Sequence, residues 1–137
     1  MIINVYSPAE HLPEESEHFK IIGYKANLYP EMAKAKAAII HGGLTTLHEA
    51  LFFGKPVLLI IDPYHPEQGN NGRKVRDMNC GVMLAGNAVT KESMEEALRR
   101  CLSMQPKDMQ GLYKEYCGLE RATEIIEGFG KQVLSES

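Results

Sequence analysis

Between residues 37 and 84 the sequence alternates short, wholly apolar runs with segments of helical spacing, and few folds accept that pattern. Ala37-Ala38-Ile39-Ile40 runs directly into His41-Gly42-Gly43. A helix is expected over 44–53, stopped by Gly54, followed by a strand over 56–61, a loop over 62–66, a helix over 67–79 and a strand over 82–84 opened by Gly81. Strands this apolar are buried on both faces, which is the situation in a parallel sheet covered by its crossover helices. The expected class is α/β, with an open Rossmann-like parallel sheet carrying helices on both faces.

The flanking segments extend the pattern. β-rich runs at 2–6 and 19–23 predict two strands, joined by a polar loop over 7–18 that holds Pro8, Pro13 and four glutamates. That stretch leaves no room for a packed helix. Pro30 starts a helix that runs to Ala35. After a Thr90 cap, Met94, Ala97, Leu98, Cys101 and Leu102 keep helical spacing. Leu112, Tyr113 and Tyr116 do so again, then Leu119, Ala122, Ile125, Ile126 and Phe129. Gly128 and Gly130 are expected to loosen the end of this helical C-terminal tail, whose apolar residues read as core or packing surface. No repeat or linker interrupts 1–137, so a single domain is expected.

Charge narrows the partners. With 15 Lys+Arg against 18 Asp+Glu the net charge is −3, and no basic stripe points to nucleic acid. The longest apolar run, 57–61, is far short of the roughly 20 residues that span a bilayer. The first residues lack the basic start and apolar stretch of a signal peptide. The expectation is a cytoplasmic protein without a transmembrane segment, or the cytoplasmic part of something larger that a partner or missing domain holds at a membrane. Cys80, Cys101 and Cys117 are odd in number and widely spaced, which suggests neither a disulfide framework nor a zinc site. His11 and His18, in the glutamate-rich loop, read as solvated.

The stretch His41-Gly42-Gly43-Leu44-Thr45-Thr46-Leu47-His48-Glu49 carries the chemistry. A glycine turn that leaves a buried strand and opens a helix lets a ligand approach the backbone, and the unpaired first-turn amides of the helix favour an anion such as phosphate. At about 100° per residue, Thr45, Thr46 and Glu49 share one side, with Leu44, Leu47 and Leu51 roughly opposite. Gly42, Thr45, Thr46 and Glu49 would then line a cleft at the carboxyl end of the sheet, where open α/β sheets bind ligands. A carboxylate one to two turns in can accept two ribose hydroxyl protons. A plain tight turn, with Thr45 as a cap and Glu49 solvated, satisfies the same spacing. Neither Gly-x-Gly-x-x-Gly nor Gly-Lys-Ser/Thr is present, which argues against a nicotinamide or ATP site.

A second polar segment, Asp62-Pro63-Tyr64-His65-Pro66-Glu67-Gln68-Gly69-Asn70-Asn71, follows the next strand and enters the next helix. Its carboxylates and amides suit sugar hydroxyls, each of which both donates and accepts. Pro66 as helix starter and Glu67 as a dipole partner is the purely structural alternative.

Together, His41 through Leu51, Gly54-Lys55-Pro56-Val57-Leu58, Pro63, Glu67-Gln68 and Asn71 resemble the nucleotide-sugar-binding C-terminal domain of GT-B glycosyltransferases. The likeness is to UDP-glycosyltransferases and to the peptidoglycan and lipid-linked-oligosaccharide N-acetylglucosaminyltransferases, and it runs over about 24–84 as a continuous order of elements. The resemblance implies half of a GT-B fold and a UDP-sugar donor as partner. His41, Gly42, Gly43, Thr45 and Thr46 would hold the donor diphosphate, and Glu49 the ribose. Glu67 and Gln68 would grip the transferred sugar, with Asn71 supporting that loop. No metal or other cofactor is implied, in keeping with the absence of an Asp-x-Asp pair, and no catalytic residue falls within the chain.

Three departures stand out. His48 occupies a position more often apolar or small in the family, and the loop over 56–68 is longer than in the plant-type enzymes. The amino end, with a strand followed by a polar loop, looks like the second strand of such a domain, so the first strand-loop-helix unit is expected to be missing. The acceptor-binding N-terminal domain that the resemblance implies is expected to lie outside the chain too. Alignment and charge stabilisation need both halves, so the chain alone is expected to be inactive, either a fragment of a longer enzyme or a subunit working with a second polypeptide. An apolar patch left by the missing unit would serve a partner or a homodimer. Two other readings remain: part of a UDP-N-acetylglucosamine 2-epimerase, whose family favours Ser-Gly-Gly before the helix and an arginine near the second loop, and a non-catalytic sugar-nucleotide-binding subunit.

Overall fold

A computed structural model describes residues 3–5, 14–105, 109–111 and 118–135. The chain divides into two compact units, Met1–Lys34 and Ala35–Ser137.

The first unit holds strands β1 (Ile3–Val5) and β2 (Phe19–Ile21) and helix α1 (Tyr29–Lys34). The strands pair in parallel, with Ile3 opposite Phe19 and Val5 opposite Ile21. β2 ends earlier than its apolar run because Gly23 adopts φ +73°, a conformation that breaks the pleat and that glycine accepts without strain. The outward amide of Ile21 is taken by Glu15 Oε1 at 2.7 Å, and that of Phe19 by the Ser16 carbonyl at 3.2 Å. Asn27 Oδ1 accepts from the Tyr29 amide at 2.9 Å, where α1 begins. Lys25 pairs with Glu31 and holds its carboxyl below the usual range. The first part of the expected polar loop, including His11, lies outside the described residues.

The second unit runs β3 (Ala38–His41), α2 (Leu44–Phe52), β4 (Val57–Ile61), α3 (Pro66–Asp77), β5 (Gly81–Ala85), a 3-10 turn at Gly86–Ala88, α4 (Lys91–Ser103) and α5 (Gly118–Ser135). The sheet order is β3-β4-β5, all parallel. Val57, Leu58 and Leu59 of the central strand are each 0% exposed, so both faces are covered. Leu58 and Val82, paired in register, pack with Ala97 and Cys101 of α4 on one face. On the other, Val57 and Gly81 meet Val75 of α3, and Gly72 of α3 lies on Met83. Burying side chains like Leu58 and Leu59 stabilises the fold by about 1.5–3 kcal/mol each.

The stops are local. Gly54 (φ 65°) closes α2, with the Lys55 amide donating to the Ala50 carbonyl at 2.9 Å. Asn79 (φ 53°) closes α3 two residues past Asp77, and the Cys80 amide donates to the Val75 carbonyl at 2.9 Å. Left-handed residues just past a helix satisfy its last carbonyls in this way. Thr90 caps α4 as its position predicts, exchanging side-chain bonds with Ser93. Cys80 and Cys101 are buried free thiols, and burial pushes Cys101 up to about 11.

Two expectations change. Leu44 is 47% exposed rather than in the core. It opens α2 ahead of the sheet contact, and Ala50 takes the inner position beside Leu47 and Leu51. α5 continues through Gly128 and Gly130 to Ser135 instead of loosening there. Its Leu119, Ile125, Ile126 and Phe129 are exposed, so they are not core of the described chain. The segment bearing Leu112, Tyr113 and Tyr116, and Cys117 beside it, lies outside the described residues. Among the described residues no helix is long and apolar enough to cross a membrane.

Candidate functional site

Two loops leave the carboxyl ends of the adjacent strands β3 and β4, and each opens a helix. After His41 the chain passes through Gly42 and Gly43 into α2; after Ile61 it passes through Asp62 to His65 into α3. In both helices the residue before the first turn, Gly43 and His65, gives no side-chain cap. α4, by contrast, is closed by a reciprocal Thr90–Ser93 box. α2 also has no acidic residue in its first turn. Its first amides and its dipole therefore present an uncompensated positive end, suited to an anion.

The two loops are locked together. A Cβ on Gly42 would lie 2.8 Å from Gln68 Cβ and 3.0 Å from Gln68 Cα, so only glycine lets α3 come this close. The buried side chain of Asn71 donates from Nδ2 to the Gly42 carbonyl at 2.9 Å. Gln68 Oε1 accepts the Asp62 amide at 2.8 Å. Asp62 in turn folds its own loop: its Oδ1 accepts from the Tyr64 amide at 2.9 Å, and its carbonyl from the His65 amide at 3.1 Å. This side-chain turn gives Asp62 an organising role that its place in the polar run did not reveal; an Asp before Pro was the available signal.

Gly42, Gln68 and Asn71 are thus brought into direct contact, with Gln68 and Asn71 partly or wholly engaged by the backbone they support. The remaining candidates stand around them. His41, Gly43, Thr45 and Glu67 are exposed, and Thr46 and Glu49 are half-buried. Among the described residues, the side chains of Thr45, Thr46, Glu49 and Glu67 bond to no other residue, and no three His, Cys, Asp or Glu side chains converge as a metal-holding group. His48 is exposed on the outer side of α2. The arrangement offers amides for an anion, a free carboxylate a turn and a half into α2, and a second carboxylate at the start of α3.

Comparison with known proteins gives a consistent result. The sequence profile of the glycosyltransferase family 28 C-terminal domain matches residues 5–127. The NDP-glycosyltransferase YjiC of Bacillus subtilis is 36% identical over 106 residues, covering 74% of this chain and 26% of the relative. An uncharacterized glycosyltransferase of Methanosarcina mazei is 29% identical over 119 residues, covering 83% of this chain and 31% of the relative. Among solved structures, the glycotransferase of kitacinnamycin superposes with a TM-score of 0.71 at 22% identity, over 87% of this chain and 31% of that one. The chain therefore has the fold of the corresponding part of that protein and spans about a quarter to a third of its curated relatives' length. These matches lend no support to a 2-epimerase.

Proposed function

The chain belongs to the glycosyltransferase family 28 C-terminal domain family, and on that premise we propose that it binds the nucleotide-sugar donor, a UDP-sugar, for transfer of the sugar to an acceptor held by polypeptide outside this chain. The observation that carries the reading is the pair of helix N-termini without side-chain caps, α2 and α3, fixed side by side at the carboxyl edge of β3 and β4.

In such a transfer an acceptor oxygen bonds to the anomeric carbon as the bond from that carbon to the diphosphate oxygen breaks. Negative charge grows on the leaving diphosphate. The first-turn amides of α2, Leu44 to Thr46, would stabilise that charge from fixed positions, which is an effective form of electrostatic assistance. His41 and the hydroxyls of Thr45 and Thr46 would complete the diphosphate site, and Glu49 would accept both ribose hydroxyls. Glu67 would face the sugar. Gln68, its oxygen bonded to Asp62, has its amide nitrogen left to offer, and Asn71 supports the loop from behind. The site as read needs no metal or other cofactor, since helix dipoles and amides supply the positive potential.

The proposed domain is a donor half, completed by an acceptor-binding domain or partner subunit. The curated relatives' greater length supports this. Calorimetric titration of the chain with UDP, against TDP and GDP, tests the reading together with Glu49→Ala. Hydrogen bonds to a charged group contribute about 1.5–3 kcal/mol, so the substitution is expected to weaken UDP binding by about tenfold or more. Equal affinity in the two proteins would refute the assignment of Glu49 to the ribose.

A further inference from the structure

Asn71 is the one buried polar residue in the described core, 6% exposed, and its bond crosses 29 positions of sequence to reach a main-chain oxygen. We infer that Asn71 is a positioning residue for donor binding: through the Gly42 carbonyl it fixes the orientation of the Gly42–Gly43 peptide, and with it the entry of α2, whose Leu44 to Thr46 amides would face the diphosphate. This rests on the donor-site reading above.

A peptide unit has two polar ends, and turning it over exchanges the directions of its C=O and N–H. In this turn both ends are held. The Gly42 carbonyl accepts from Asn71 Nδ2 at 2.9 Å, and the Gly43 amide donates to the His41 carbonyl at 2.8 Å. Two consecutive glycines have no Cβ to restrain them, so without those bonds this peptide would be among the easiest in the chain to reorient. Gly42 cannot be stiffened by a side chain, because Gln68 occupies the space where one would go. The restraint has to come from elsewhere, and a buried side-chain donor on α3 supplies it.

Its location ties two segments together. Asn71 sits one turn beyond Gln68, whose backbone touches Gly42 and whose Oε1 holds Asp62. The α2 entry and the loop before α3 are thereby set by the same turn of α3. A preformed site of this kind avoids the cost of ordering its amides when the ligand arrives.

Asn71→Leu keeps the branched shape of the side chain, with added volume, and removes the donor; Asn71→Ala removes both shape and donor. Amide hydrogen exchange of the whole 137-residue chain, without ligand, reads the peptide directly, and UDP titration reads its consequence. In both variants the Gly43 amide is expected to exchange at least tenfold faster while the β4 amides keep their protection, and UDP affinity is expected to fall about tenfold. Unchanged Gly43 exchange in Asn71→Leu overturns the inference, since the side chain then only fills space. Faster exchange with unaltered UDP affinity also overturns it, because the restraint then serves the fold alone. If exchange quickens but the unsubstituted chain binds no UDP, the donor reading fails and the peptide restraint stands by itself.

Discussion

Gly42 and Gly43 look equivalent in the sequence and are not. Gly42 is buried beneath Gln68, whose Cβ would lie 2.8 Å from an added methyl group. Gly43 has φ −69° and ψ 142°, which any residue adopts, and nothing stands within 4 Å of a Cβ placed on it. Gly42→Ala is therefore expected to destabilise the chain by about 1–3 kcal/mol, as overpacking does, measured by urea unfolding. Gly43→Ala should leave the unfolding midpoint unchanged and weaken UDP binding, because its methyl group enters the open space at the head of α2. Wild-type affinity in Gly43→Ala would mean that this space is not the diphosphate site. The residue types around the turn were legible because they come in one contiguous motif. The partnership of Gly42 with Gln68 and Asn71 was not, since its members are joined only by the way α3 folds back. Asp62 was hidden for a similar reason: its role depends on the geometry of the turn, not on its own charge.

At the level of elements, periodicity carried most of the information. The alternation of apolar runs with helical spacing predicted β3, α2, β4, α3 and β5 in order, and each boundary moved by no more than two residues. Boundaries shifted where a single backbone conformation decided them, as at Gly23 and Asn79. Leu44 shows the limit of a helical wheel, which gives the angle of a side chain but not whether a neighbour reaches that end of the helix. α5 shows the same limit at larger size, since spacing reveals an apolar stripe and says nothing of what covers it. Two glycines contrast the elements most sharply. A Cβ on Gly81, at the start of β5, would sit 2.1 Å from the Val57 carbonyl oxygen and 2.8 Å from Val75 Cγ1. Gly81→Ala must part β4 from β5, and a loss of about 3 kcal/mol or more is expected, in the range of large core disruptions. A Cβ on Gly128 meets nothing within 4 Å, and Gly128→Ala should raise the helix content of α5, stabilising it by about 1 kcal/mol. Circular dichroism and thermal unfolding of the two variants check both; a Gly81→Ala protein as stable as the parent would contradict the packing described for β5.

For the molecule as a whole, the sequence identified the class of fold and the family because the order of strand, glycine turn, helix and polar loop is more specific than any one motif within it. It did not reveal the division into two units, which depends on how strands pair: β1 with β2 in one, β3, β4 and β5 in the other. The relatives matched are three to four times longer than the part they share with this chain, and the proposal assigns the acceptor side of the reaction to polypeptide outside it. The donor side is the part that can be tested on this chain alone. The central claim is that the head of α2 receives a nucleoside diphosphate, and the direct measurement is a two-dimensional amide NMR titration with UDP. Saturable shifts concentrated on Gly42 to Glu49 are the predicted result, with Glu67 and Gln68, assigned to the transferred sugar, joining them only when a UDP-sugar replaces UDP. Amides at the head of α2 that stay unmoved at millimolar UDP, or shifts gathered instead on β1, β2 or α4, would contradict it.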